Sequence, residues 1–310
     1  MPRRVTHSSE DHAEDIFRKA LAMHDAGINF ALAFVKSTDG GSVRRAGAVM
    51  LIDEKGQSTG YVSGGCIDAD VCAQALYAMQ DGKTRVIRYG SGSPYIDLKL
   101  PCGNGIDICI IASPNIKVIS YVLSQLDARQ ESHFYITQDG RLSLSKCHNS
   151  IQLYYTPKLR LRIGGRGHDA IALAHLAAAS GLSVILQCPD REDLVRDLEN
   201  VKIQHLVSFE NIPEPQDDPF TAFALMFHDL EWETALLTQA LKGPAFYVGA
   251  LGSRKTHQSR CEILHSLGIS ENETNRIKAP IGLVPAMRDS SMLAISTLAD
   301  IVSAYYKAYP

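Results

Sequence analysis

The sequence predicts a mixed α/β protein in two parts, an α/β domain whose loops carry cysteines followed by a doubly wound parallel sheet. Three observations predict it. Beyond about Pro157, short apolar strands alternate with helices at the spacing of βαβ units. Gly165-Arg166-Gly167-His168-Asp169-Ala170 is a G-x-G-x-x-A turn between a strand and an alanine-rich helix, the context that a Rossmann-like sheet requires. Before Pro157, glycine-flanked cysteines stand at the ends of hairpin-like strands. The expected domains are residues 1–156, with a connecting segment from about 113, and residues 157–310. A chain of 310 residues is long enough for two separate cores.

Composition narrows the function classes. With 45% hydrophobic and 21% charged residues the chain is that of an ordinary globular protein. Its 31 basic and 34 acidic residues are mixed along the sequence, without a basic stripe or interleaved aromatics, so nucleic acid is not an expected partner. The seven cysteines, Cys66, Cys72, Cys102, Cys109, Cys147, Cys188 and Cys261, form no CxxC pair. An odd, dispersed set fits reduced thiols in a cytoplasm better than a disulfide framework or a structural zinc. Residues 1–10 are polar and lack the apolar core of a signal peptide. The longest apolar run, 170–179, is interrupted by His175 and falls short of the roughly 18 residues of a membrane span. A cytoplasmic protein without a membrane partner is expected.

In the first half, Ser8 or Ser9 is expected to cap a helix over 10–25 that stops at Gly27. Residues 30–35 read as a buried strand, and 48–52 with 57–62 as a hairpin around Asp53-Glu54-Lys55-Gly56. That hairpin delivers the chain into Ser63-Gly64-Gly65-Cys66-Ile67-Asp68-Ala69-Asp70. Glycine tolerates positive φ and lets a ligand approach bare backbone, and the start of the next helix favours a thiolate. Asp68 and Asp70 either complement the dipole of that helix, which should end at Gly82, or serve a ligand. A strand over 84–88 runs into 89–94, which reads as a flexible ligand-facing loop. Leu100-Pro101-Cys102-Gly103-Asn104-Gly105 fixes a second cysteine at the entrance to a strand over 106–112. If these strands share a sheet, both cysteine loops meet at one end of it. The alternative is that each thiol is a small buried hydrophobe in a turn. A helix over 115–127 and a hairpin-like stretch over 133–155 complete this half.

In the second half, a strand over 159–163 leads into Gly165 and Gly167, where a phosphate could approach the helix N-terminus, and a strand over 183–186 completes the βαβ unit. The ribose-binding carboxylate expected after that strand is replaced by Gln187-Cys188-Pro189, with Asp190 two residues late. Further strands are expected over 205–209, 221–226 and 246–248. Two of their ends carry chemistry. His228 beside Asp229 is a candidate general base or ligand, or else an ordinary loop histidine. Gly249-Ala250-Leu251-Gly252-Ser253-Arg254-Lys255 places glycines, a hydroxyl and cations at a helix N-terminus, a second anion site. Residues 279–283 make a tight turn, and a helix over 291–306 closes the domain.

Taken together, Val62-Ser63-Gly64-Gly65-Cys66-Ile67, Arg88-Tyr89-Gly90, Leu100-Pro101-Cys102-Gly103, the Gly165-x-Gly167-His168 turn, His228-Asp229, and 247–255 with 279–283 resemble the XdhC/CoxI family, accessory proteins of molybdenum hydroxylases such as xanthine dehydrogenase. The resemblance covers almost the whole chain in register. It implies a chaperone that binds the molybdenum cofactor (molybdopterin), protects it, supports its sulfuration by a cysteine desulfurase and inserts it into an apo molybdenum hydroxylase. It also implies a homodimer. Cys66 is then the first choice for a contact near molybdenum and Cys102 the second, consistent with thiolates as soft ligands. The chain departs from the family at Cys188 and Val284, where acids are usual. For the Rossmann-like half a nucleotide and a phosphate or partner protein therefore stay open as ligands. The alternative function is an NAD(P)-dependent oxidoreductase using that half, with the G-x-G-x-x-A turn and His228-Asp229 as its motive.

Overall fold

The computed structural model describes residues 7–8, 12–39, 44–93, 103–189, 198–284 and 287–309. The chain divides into two compact units, Met1–Pro157 and Lys158–Pro310.

The first unit is built on a six-stranded sheet of β1 (His7–Ser8), β2 (Phe30–Thr38), β3 (Val49–Asp53), β4 (Ser58–Gly60), β5 (Arg85–Gly90) and β6 (Gly105–Ile111). Their order is β1-β4-β3-β2-β6-β5, and every pairing except β1 with β4 is antiparallel. The central strand β2 is apolar on both faces, as a strand covered on both sides must be. Phe30, Leu32 and Phe34 enter the core under α1 (Ala13–Asp25) and α3 (Ile116–Asp127). Ala31, Ala33 and Val35 face α2 (Asp68–Asp81). A small sheet of β7 (Ser132–Ile136), β8 (Leu142–Ser143) and β9 (Ile151–Tyr155) adds Phe134 and Tyr155 to the first of these cores, their rings stacked 5.2 Å apart.

Two expectations for this unit are corrected. Ser8 lies in β1, and α1 is capped by His12, whose Nδ1 accepts from the Glu14 amide at 3.3 Å. Tyr89 and Gly90 are not a flexible loop but the end of β5, and Tyr89 is fully buried.

The second unit is a six-stranded all-parallel sheet: β10 (Arg160–Gly165), β11 (Ser183–Cys188), β12 (Val201–His205), β13 (Thr221–Met226), β14 (Tyr247–Ala250) and β15 (Ile277–Lys278). Its order, β12-β11-β10-β13-β14-β15, winds outward in both directions from β10, which is the Rossmann order. One face is covered by α4 (Gly167–Ala179) and α8 (Ser290–Ala308), through Leu173, Ala177, Leu298 and Ile301. The other is covered by α5 (Leu230–Lys242) and α6 (Arg254–Ser266), through Leu236, Leu237 and Leu264; the short α7 (Glu271–Thr274) follows.

The strand expected over 205–209 is instead β12, ending where that stretch begins. Val184 pairs with Val201 and Cys188 with His205, so β12 is an edge strand of mixed polarity. The apolar residues after it do not alternate into the core: Leu206 is buried while Val207 is 86% exposed.

Beneath β10 lies a buried charge. The Arg162 guanidinium forms a bidentate pair with Asp217, at 2.8 and 2.6 Å, donates to Gln187 at 2.8 Å and stacks 4.0 Å over Phe223. Breaking such a pair strands a charge, whereas replacing both partners by apolar groups does not. Asp217→Ala should therefore cost about 3–5 kcal/mol in urea unfolding, and Arg162→Met with Asp217→Leu far less than the single change.

Candidate functional site

The antiparallel succession of strands brings the end of β4, the end of β5 and the start of β6 to one end of the first sheet. From β4 the chain passes through residues 61–67 into α2, and Asp68 and Asp70 fix where that helix starts. Asp68 is only 3% exposed; its Oδ1 accepts from the Ser63 amide at 3.0 Å and from the Ser63 hydroxyl at 2.8 Å. The Ser63 oxygen in turn accepts from the amides of Gly65, 3.1 Å, and Ile67, 3.3 Å. Asp70 accepts from the Tyr89 hydroxyl at 2.6 Å, which ties the first turn of α2 to β5.

The result is a closed loop with its tip outward. Gly65 has φ +98°, a conformation that strains other residues, and the space where a side chain would project is open. Gly64, Gly65 and Cys66 are exposed. Asp68, a candidate ligand in the sequence, turns inward and holds the loop.

The neighbouring turn is clasped by Arg88. Its Nε donates to the Ser91 carbonyl at 2.8 Å, and its terminal nitrogens pair with Asp107, 3.0 Å, and with Asp39. Ser37 donates to the same Asp107 oxygen at 2.6 Å. A side chain at Gly105 would run into this guanidinium, which is why the entrance to β6 needs glycine. The Ser91 amide donates to Asn104 at 3.2 Å, so Gly103-Asn104-Gly105 is tied to the turn after β5. Gly103 is exposed, with φ +70°. Cys102 lies outside the described residues. Neither the Arg88 clasp nor the Asp70–Tyr89 bond was anticipated; the Arg88-Tyr89-Gly90 motif was the only signal of them.

Burial separates the thiols. Cys72, on the inner face of α2, and Cys109, in β6, are both pushed up to about 11, chiefly by burial, and stay protonated at neutral pH. Cys66 and Cys147 are exposed. Among the described residues no three His, Cys, Asp or Glu side chains converge as a metal site.

In the second unit the expected site residues cluster after β10 and β13, where the winding of the sheet reverses. Gly165 is a packing residue: a Cβ there would come 2.6 Å from that of Met226 and 3.0 Å from that of Ala170. Gly167 has φ +72° and open space beside it. Arg166, His168 and His228 are exposed. Asp229 caps α5, accepting from the Glu231 amide at 3.2 Å, and its other oxygen lies 3.7 Å from Arg166. It is thus engaged by a helix end and an arginine rather than set to orient His228. Gly249 packs against Tyr247 and Ile281, and Gly252 holds φ +122°. Ser253 caps α6 through the Thr256 amide, 3.1 Å, beside the exposed Arg254. At the end of β11 the position of the ribose carboxylate holds Cys188, which is fully buried. Among the described residues no carboxylate stands at the end of β11 to meet a ribose; Asp190 lies outside them.

These features define a two-unit α/β protein that presents a thiol on a braced loop and carries a Rossmann sheet with a buried cysteine where a ribose-binding acid usually stands. Comparison with known proteins agrees. The XdhC and CoxI family matches residues 23–90, and the XdhC Rossmann domain matches residues 161–301. The molybdenum cofactor insertion chaperone PaoD of Escherichia coli (strain K12) is 34% identical over 303 residues, covering 95% of this chain and 89% of its own. A probable subunit of xanthine dehydrogenase from Bacillus subtilis (strain 168) is 24% identical, covering 87% of this chain and 92% of its own. The crystal structure of a xanthine dehydrogenase from Bacillus halodurans superimposes with a TM-score of 0.77 at 20% identity, over 96% of each chain, and shows the same fold. The chain belongs to the XdhC and CoxI family.

Exposure predicts the order of thiol reactivity. Iodoacetamide at neutral pH should label Cys66 and Cys147 in the folded protein and reach Cys72, Cys109 and Cys188 only in denaturant, as read by peptide mass spectrometry. Labelling of Cys72 as fast as Cys66 would contradict the geometry.

Proposed function

We propose that this chain is a cytoplasmic chaperone for the molybdenum cofactor, which holds the cofactor, supports its sulfuration and delivers it to an apo molybdenum hydroxylase of the xanthine dehydrogenase type. The observation that carries the reading is the exposed Cys66 thiol, on a loop that Ser63 and Asp68 close by hydrogen bonds and that has open space beside Gly65. Membership of the XdhC and CoxI family and the name of the relative PaoD support it.

The residues present suit such a cargo. A thiolate is a soft ligand for a thiophilic metal centre, and Cys66 would supply it, with Cys102 as the second candidate. Gly64, Gly65 and Gly103 are exposed and without side chains, so a pterin could approach the backbone there. Ser63, Asp68 and the Asp70–Tyr89 bond hold Cys66 in place before any ligand arrives, so little order has to be gained on binding. The cofactor would bring the redox-active metal; this chain would shield it and present it, first to a cysteine desulfurase that adds the terminal sulfur and then to the client enzyme. The oxidoreductase reading is not favoured, because Cys188 cannot serve a ribose and Asp229 is already engaged.

The test is the molybdenum and pterin content of the protein isolated anaerobically from cells that make the cofactor. Wild type should retain both, and Cys66→Ala should lower retention at least about tenfold, as expected for loss of a metal contact. Cys147→Ala, the exposed thiol of another loop, should retain them fully. Absence of retention in wild type would overturn the proposal, and calorimetric binding of NAD(P)H would revive the oxidoreductase reading.

A further inference from the structure

A chaperone that turns Cys66 toward molybdenum meets only one end of its cargo. The other end of molybdopterin is a phosphate, which carries negative charge. The described surroundings of the loop are acidic: Asp39, Asp68, Asp70 and Asp107 are all engaged at this end of the sheet. The Arg88 charge is committed to Asp39 and Asp107. An anion brought here therefore needs another cation.

That cation is Arg44. The turn that carries it is fastened to the end of β2, where the Gly47 amide donates to the Val35 carbonyl at 2.9 Å and the Val35 amide to the Ala48 carbonyl at 2.8 Å. The Ala48 amide closes the turn on the Arg45 carbonyl at 3.1 Å. Both β2 and β4 pair antiparallel with β3, so the end of β2 lies at the same end of the sheet as the residues that leave β4 for the cysteine loop. The first of those residues is Tyr61, and the Arg44 guanidinium carbon sits 4.1 Å from the centre of its ring. A guanidinium over an aromatic ring is engaged through its face, while its N–H donors lie along its edge and match a phosphate in pairs. Stacking also orders in advance a side chain that would otherwise lose rotamer freedom on meeting a ligand. Tyr61 stands two residues before Ser63, which closes the loop on Asp68. One short segment thus sets the arginine at its start and the thiol at its end.

We propose that Arg44 is the phosphate-recognising residue of the cargo site, with Tyr61 as the residue that positions it. This rests on the cofactor reading and gives the same ligand a second point of attachment: Cys66 faces the metal and Arg44 the phosphate. The division suits a carrier. A grip on the phosphate holds the cargo without covering the metal, so a partner can reach the metal while the pterin remains bound. Lysine would supply the charge but not the fork that orients a phosphate.

The test uses the oxidised, metal-free fluorescent pterin prepared from the cofactor, with its phosphate and after phosphatase treatment. This probe has no metal, so its binding reports on the pterin and phosphate alone. Fluorescence titration of the wild-type chain should show at least about tenfold tighter binding of the phosphorylated form, as a charge-assisted pair contributes. Arg44→Gln should bind both forms alike, at the wild-type affinity for the dephosphorylated one, which also shows that the variant is folded. Arg44→Lys should recover the preference in part. Tyr61→Phe, which keeps the ring, should preserve it, and Tyr61→Leu should lose most of it. Arg45→Gln, the loss of an equal charge next door, should leave it intact. Equal binding of the two forms by wild type, binding of neither, or a loss in Arg45→Gln as large as in Arg44→Gln would each overturn the assignment. Retention of whole cofactor from cells judges the cargo separately: a chain that discriminates the phosphate through Arg44 yet retains no molybdenum would keep this site and refute the cofactor reading.

Discussion

The geometry of the candidate site depends on two carboxylates in the first turn of α2. Both suit the positive end of a helix dipole, yet neither is left to that task alone. Asp68 is drawn back onto Ser63 and Asp70 is held by Tyr89. The helix has no side-chain cap at Ile67, whose own amide donates to the Ser63 hydroxyl oxygen. A buried carboxylate is costly unless it accepts hydrogen bonds, and here the two bonds it accepts are the ones that close the loop. Cys66 is therefore placed by residues on both sides of it in sequence, and by β5 from across the sheet.

This arrangement explains why Cys66 differs from Cys72. Cys66 and Cys72 are six residues apart, and the turn of the helix carries Cys72 beneath α2 while Cys66 stays ahead of the first turn. Burial then keeps the inner thiols protonated, so the unit confines accessible sulfur to loops. The Arg88 clasp acts on the adjacent turn in the same way. An arginine that pairs with Asp39 and Asp107 and also holds the Ser91 carbonyl ties the residues directly after β5 to β6.

Much of the fold was legible in the sequence because its signals are local. The hairpin of β3 and β4, the glycine after α2 and the G-x-G-x-x-A turn all declare themselves within a few residues. What escaped depended on distant partners. β12 was misplaced because an edge strand half open to solvent does not alternate, while the more apolar Leu206-Val207 pair that follows it does not enter the sheet. Tyr89 looked mobile because it adjoins glycines, and only Asp70, nineteen residues earlier, shows why it is buried. At the site, the glycines and Cys66 could be picked out by type, but the inward turn of Asp68 needed the position of Ser63.

In the second unit the glycines of a binding fingerprint have structural grounds of their own. Gly165 and Gly249 are explained by contacts that a side chain would break, and Gly167 and Gly252 by their positive φ. The polar groups around them are similarly engaged. Arg162, Asp217, Gln187 and Gln204 form one hydrogen-bonded chain through the sheet. Arg260 joins Glu233 of α5 to the Leu251 carbonyl, bracing the turn after β14 from below. Asp229 and Ser253 cap helices. A dehydrogenase needs a carboxylate free for the ribose and a base free for the proton. Here, among the described residues, the first position is a buried thiol and the carboxylate beside His228 is already shared between a helix end and Arg166.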